Sequence, residues 1–459
     1  MFKNIFKDLL LIIASAFIFC FAGFENHFPL TYDDTGGYLL SGFKGEVPTD
    51  RPIMYGLFLR HISLADSLWL VIFAQGLIVS YLIFLCFKYL LPIKLKPLWQ
   101  VALVLLLTFC TGATINVSQL IPDVFTPVMI LCMGLLLTCK LRTAEEVFVS
   151  IMLVFAISTH NSHGAIGIII LTAVTLIILI WKVGGTFWST WRRLFKIWLL
   201  LLAGIFIIPT VHYFFNGHFR TNNSTHVFLM YKLLEMGILD DYLKHTCDQH
   251  HWKICAYKDS IPTNFIWDYN KSPLYKTGGW EANKGEYDSI IRDIFSSPRY
   301  LKMFVEKCFS NSLEQLVTYN VTDLRANTPN TSPYVHIKWF FPGDIRQLEY
   351  SAQFRGALDF NPINKRQIIL IVLSGFILFM IFYVRGNQVS PPMSRLALVI
   401  LVGIIANAIV CGSFSQVIPR YEVRVIWLLP LYAFLLLLEQ RTIFSSVKKI
   451  MSGKEEPDI

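Results

Sequence analysis

The sequence predicts an all-α polytopic membrane protein with about ten transmembrane helices, and three observations predict it. Of 459 residues, 54% are hydrophobic, 15% are charged, and 37 are Phe. Soluble domains carry roughly 25% charged residues. The mean hydropathy is +0.52. The apolar residues come in long blocks, several near the ~20 residues that span a bilayer. Finally, Lys and Arg concentrate in alternate segments between those blocks. The composition excludes a disordered chain, a collagen-like repeat and a disulfide-dense secreted module. The net charge of +9 is explained by basic loops on one side of a membrane, so no nucleic-acid partner is expected.

The blocks lie at 9–24, 68–90, 99–112, 124–137, 147–158, 165–180, 197–213, 367–384, 396–410 and 425–438. The first follows Lys3 and Lys7 like a signal sequence. It lacks a small-residue cleavage site and precedes further spans, so it reads as a retained helix. With the N-terminus inside, the inner loops carry Lys88, Lys94 and Lys96; Lys140 and Arg142; Lys182, Arg192, Arg193 and Lys196; and Arg385 and Arg395. The tail adds Arg441, Lys448 and Lys449. Each inner segment is basic, as the positive-inside bias requires. The expected localisation is multi-pass, with both termini cytoplasmic and any active site extracytoplasmic.

The domain organisation follows. Residues 1–214 form a transmembrane module whose first outer loop is 24–67. Residues 215–366 form a small extracytoplasmic domain inserted between spans seven and eight, since such a stretch is too long for a plain connection. Residues 367–440 are the C-terminal helices, and 441–459 a cytoplasmic tail. Cys247 and Cys255 sit in the inserted region, where a disulfide is permitted outside the cytosol and geometry decides it. Cys86, Cys110, Cys132 and Cys139 lie in or beside apolar blocks, and no zinc spacing is present.

The outer segments carry the candidate chemistry. The first loop holds adjacent carboxylates, Asp33 and Asp34, then Tyr38. Arg51-Pro52 follows and opens an apolar run of Ile53, Met54, Leu57 and Phe58, with Tyr55 within it. A short helix starting at Pro52 would place Arg51 at its N-terminus, a setting that favours anions. Pro122-Asp123 opens the fourth span, where a carboxylate is costly unless it faces a partner or cavity. His160, Asn161, Ser162 and His163 crowd one hairpin. Arg420, Tyr421 and Arg424 stand at the mouth of the last span. Arg51, Arg420 and Arg424 run against the charge bias, which points to anion binding.

Carboxylates beside arginines at a lipid boundary suit a substrate with a lipid tail and a phosphate head. In sugar transfer from a polyprenyl phosphate, a carboxylate takes the acceptor's proton. Arg stabilises the departing phosphate with bidentate geometry, and a carboxylate supports the oxocarbenium-like transition state. No phosphate-binding GxxxxGK[ST] loop is present.

At these residues the chain resembles the GT-C superfamily of integral membrane glycosyltransferases. That group includes the protein O-mannosyltransferases, lipid A aminoarabinose transferases and oligosaccharyltransferases. The resemblance is carried by Asp34-x-x-x-Tyr38, by Arg51-Pro52-Ile53-Met54-Tyr55, by Pro122-Asp123 and by Arg420-Tyr421. It covers about the first 215 residues, a shared seven-helix module, plus the final hairpin. It implies that Asp34, or Asp33 in its place, is the catalytic carboxylate. It implies that Arg51 holds the donor phosphate and that Arg420-Tyr421 lie near the lipid phosphate, with Asp123 as the second acidic position. Arg424 joins the candidate phosphate contacts and Tyr38 and Tyr55 the candidate substrate contacts, and His160 and His163 either touch substrate or cap helices. In some members the second acidic position supports a metal or the acceptor, so a divalent Mg or Mn at Asp34 and Asp123 stays open. The implied partners are a polyprenyl-phosphate-linked sugar, membrane lipid, and a glycan, lipid or protein acceptor. The chain departs from the family where Lys is common at the Arg51 position, and it lacks a large soluble C-terminal domain. The rival readings are a transporter or flippase of lipid-linked sugars, an O-antigen polymerase or ligase, and a structural membrane partner.

Overall fold

The structure is a computed structural model, and it describes residues 2–91, 97–181, 187–322, 324–385 and 388–451. Lys94, Lys96, Lys182 and the tail beyond residue 451 lie outside the described residues. Among the described residues the protein is all-helical, with a single isolated bridge between Leu30 and Gln119.

Among the described residues six helices are long and apolar enough to cross a membrane: Trp69–Leu90, Asn161–Ile180, Ser189–Asn216, Asn361–Val384, Pro391–Phe414 and Arg420–Gln440. The other four expected blocks are also helical but shorter or more charged. They are Phe2–Phe19, Pro97–Cys110, Phe125–Thr138 and Thr143–Ser158, of 18, 14, 14 and 16 residues. The Phe125–Thr138 helix is buried along its whole length. A helix apolar on every side is stable there because protein, not water, surrounds it.

Among the described residues three buried clusters form, a minor one at Ala22, Leu30, Ile115, Val321 and Val423 and two large ones that organise the chain. The larger of these two joins the apolar helices. The smaller runs from Val227 to Phe304 and contains Met230, Leu239, Phe265 and Tyr287. The disulfide Cys247–Cys255 closes a loop within the smaller one, with Cα atoms 5.6 Å apart. The chain then returns to the larger cluster through Tyr334, Ile337, Phe341 and Leu348, where Phe340 stacks on Phe43 at 4.7 Å.

The first outer loop folds into two short helices, Thr35–Lys44 and Met54–Ile62. The second starts two residues later than the expected Pro52. The pair crosses at Gly42 and Gly56, where a Cβ on Gly42 would come within 2.0 Å of the Gly56 carbonyl oxygen. No side chain fits there, so the two glycines set how close the Asp34 and Arg51 ends of this hairpin approach. The loop is also stitched to the segment before Pro122. Leu30 N–H donates to Ser118 O at 2.8 Å, Leu120 N–H to Leu30 O at 2.9 Å, and the Thr35 hydroxyl to Leu120 O at 3.1 Å. These bonds bring Asp34 beside Asp123, although the two are far apart in sequence.

Candidate functional site

Asp34 sits immediately before the Thr35–Lys44 helix and forms no side-chain cap. Its oxygens point outward to two arginines instead. Arg51 Nη1 reaches Oδ1 at 2.9 Å and Arg420 Nη1 reaches Oδ2 at 3.1 Å. Arg420 turns its Nε to Asp123 at 2.6 Å, and Arg424 Nη1 holds the other oxygen of Asp123 at 3.1 Å. Asp50 closes the chain from the far side, 2.6 Å from Arg51. Three carboxylates and three guanidiniums thus alternate, and their charges sum to zero.

The set is graded by depth. Asp123 and Arg424 are fully buried, Arg420 is 8% exposed, and the Asp34 and Arg51 side chains are 25% and 17% exposed. The deep pair is braced from the span above it. Arg424 Nη2 donates to Asn407 Oδ1 at 2.8 Å, and Asn407 Nδ2 donates to the Tyr421 carbonyl at 2.6 Å. Arg420 lies 4.2 Å over the Tyr32 ring, and Arg51 lies 5.1 Å over that of Tyr38. Both contacts fit a cation held on an aromatic face.

Burial favours the neutral Asp34 carboxyl, but the positive charges of Arg51 and Arg420 outweigh it and hold the group below the ordinary carboxylate range. Burial, then His163 and Arg424, hold the His160 imidazole well below the usual histidine range, so it is neutral at pH 7.

A cavity of about 440 Å³ opens above Asp34, Arg51 and Arg420. Tyr38, His160 and Tyr421 also line it. Asn222, Ser224 and Thr225, just before the smaller cluster in sequence, and Trp267, within its sequence range, also contribute. The backbone holds these walls together: Asn223 N–H donates to Thr49 O at 2.9 Å, and Asn161 Nδ2 to Asp50 O at 2.9 Å. Ala165 and Phe414 line the cavity and are exposed near the ends of two candidate spans.

Other expected site residues stand elsewhere. Asp33 is at the surface, 3.9 Å from Arg325. The Tyr55 hydroxyl donates to Gln75 at 2.9 Å, beneath the cavity. His163 Nδ1 donates to Ala156 O at 2.6 Å, and Nε2 accepts from Thr126 at 2.7 Å. Both of its nitrogens are therefore engaged in holding helices together. Residues the sequence reading passed over include Asp50, Tyr32, Asn407 and Trp267. Asp50 had a signal in its adjacency to Arg51, and Asn407 had one as an amide interrupting an apolar block.

A divalent metal at Asp34 and Asp123 would have to displace guanidiniums. Arginines already take their oxygens, and among the described residues no group of three or more His, Cys, Asp or Glu side chains gathers to hold an ion. Comparison with known proteins finds no matching family model, no matching curated protein and no matching solved structure.

Proposed function

We propose that the protein is a membrane glycosyltransferase, which moves a sugar from a polyprenyl-phosphate-linked donor to an acceptor at the extracytoplasmic face. The observation that carries this reading is the meeting of Asp34, Arg51 and Arg420, from opposite ends of the chain, on one cavity. The cavity combines what such a donor needs: two guanidiniums for the phosphate, polar groups and an indole for the sugar, and exposed apolar side chains at Ala165 and Phe414 for the prenyl chain. In the same reading ten spans cross the membrane, both termini are cytoplasmic, and residues 215–366 form an extracytoplasmic domain over the cavity.

The resting cluster is neutral, so an arriving phosphodiester brings one uncompensated negative charge. Arg51 and Arg420 move from Asp34 onto the phosphate oxygens, where their fork geometry fits. This frees Asp34. The carboxylate then takes the proton of the acceptor hydroxyl or amine as its oxygen or nitrogen attacks the anomeric carbon. The bond from that carbon to the phosphate oxygen breaks, and polyprenyl phosphate leaves with its charge on the two arginines. Arg424 and Asp123 stay behind as the fixed base that aims Arg420.

The test is incubation of the protein in lipid with polyprenyl phosphate linked to a monosaccharide, and with polyprenyl diphosphate linked to an oligosaccharide, followed by mass analysis. Transfer from the monophosphate donor is expected. Asp34→Asn should lose at least about 100-fold, the usual weight of a general base, while Asp33→Asn stays near wild type. Full activity in Asp34→Asn would overturn the mechanism.

A further inference from the structure

The helix Pro298–Val317 carries an apolar stripe that no protein covers. Leu301, Val305, Phe309, Leu313 and Val317 recur every four residues, on one face of the helix, and are between 43% and 70% exposed. They extend over about 24 Å of helix. Exposed Lys302, Glu306, Lys307 and Glu314 lie alongside, with Lys302 and Glu306 paired at 3.8 Å. Other sides of the helix are occupied. Tyr300 and Phe304 are buried in the smaller cluster, the outer one in the proposed orientation, and Gln315 Nε2 donates to Ile418 O at 2.9 Å.

The stripe joins surfaces that a membrane would cover. The helix leans on the candidate span Pro391–Phe414 so closely that a Cβ on Gly412 would come within 2.7 Å of the Asn311 carbonyl oxygen. Just past its C-terminus, the Tyr319 carbonyl accepts a hydrogen bond from Gln367 Nε2 at 2.6 Å. Gln367 opens the apolar run of another candidate span, whose Ile369 and Val372 are 68% and 64% exposed. An apolar helical face with flanking charged side chains, continuous with the outer faces of two spans, has the makeup of an interfacial helix.

We propose that Pro298–Val317 is a membrane-contact helix, with Leu301, Val305, Phe309, Leu313 and Val317 against the acyl chains of the leaflet beside the cavity. It therefore anchors the outer cluster to lipid. Phe304, on another side of the same helix, lies 6.3 Å from the cavity residue Phe414, so the anchor also backs one cavity wall. This holds whatever the chain transfers.

The experiment uses the unmodified protein in phosphatidylethanolamine–phosphatidylglycerol vesicles containing a lipid with a diazirine in its acyl chain. Illumination and peptide mapping are expected to place adducts on 301–317 and on 368–384, and none on the helix Lys284–Ser296. The proposal is overturned if 301–317 stays as unlabelled as 284–296 while 368–384 is labelled. A photoreactive side chain in place of Phe309 should likewise capture lipid. Capture of a second copy of the chain instead would overturn the assignment of lipid as the occupant.

Discussion

A carboxylate with both oxygens held by arginines is a poor base until those partners leave, which gives the reaction a particular pH dependence. At rest Asp34 meets Arg51 at 2.9 Å and Arg420 at 3.1 Å. Burial pushes the group towards its neutral form, and the two cations more than reverse that. In the proposed transfer the donor phosphate draws both guanidiniums away, so Asp34 would lose those contacts and gain an anion as neighbour. Both changes favour the proton. Asp34 is still 25% exposed, so solvent softens the shift without changing its upward direction.

With the donor as varied substrate, kcat/KM reports the free enzyme and kcat reports the complex. Protonated Asp34 is inactive as a base, so each rate falls as pH drops through its own value. The acid limb of the kcat profile should therefore lie at higher pH than that of kcat/KM. Arg51→Gln removes one clamp before the donor arrives. It should raise the kcat/KM limb towards the ordinary aspartate range and move the kcat limb less. The assay is initial rates in lipid vesicles, from acid to neutral pH. Coincident limbs, or a kcat/KM limb that Arg51→Gln leaves in place, would refute the release of Asp34 by the donor.

Two further expectations concern the scaffold. Asp123→Asn leaves Arg420 and Arg424 buried without their counter-charge, and should cost about 3–5 kcal/mol, read as a lower Tm in detergent. Adding Arg424→Met should recover part of that loss, and a simple sum of the two single effects would argue against coupling. In the extracytoplasmic assignment, Cys247 and Cys255 should take up maleimide only after reduction. A reporter fused after residue 230 should lie outside the cytosol and one fused after 445 inside; free thiols in that loop, or the opposite reporter pattern, would reverse the proposed orientation.

Much of the helical framework was legible because hydropathy dictates it: each apolar block is mostly helical, although the first is interrupted at Cys20 and the last at Trp427. Block position did not tell which helices meet lipid. The Phe125–Thr138 helix is as apolar as a span, yet it is enclosed by protein along its whole length. The charged residues were legible as types and less so as roles. Arg420 and Arg424 are four residues apart on one helix, so both facing Asp123 is what helical periodicity predicts. Asp33 and Asp34 were indistinguishable as neighbours. The choice between them depends on the close crossing at Gly42 and Gly56 and on the Leu30–Ser118 stitching, both contacts between distant positions. The same holds for His163, which looked like His160 in sequence but spends both nitrogens on Ala156 and Thr126.

The roof of the cavity was the least legible part, for a related reason. Asn222, Ser224, Thr225 and Trp267 belong to no motif and acquire meaning only because Asn223 is hydrogen-bonded to Thr49 and the smaller cluster is fastened to the end of a span. One such fastening is Lys232, buried and donating to the Ser415 carbonyl at 2.6 Å. Ser415 in turn donates to the Tyr421 hydroxyl at 2.9 Å, next to Arg420. The charged floor and the uncharged roof are therefore tied through adjoining backbone. Neither could shift far without the other, and a phosphate and a sugar bound there would be presented to Asp34 at a separation set by the fold.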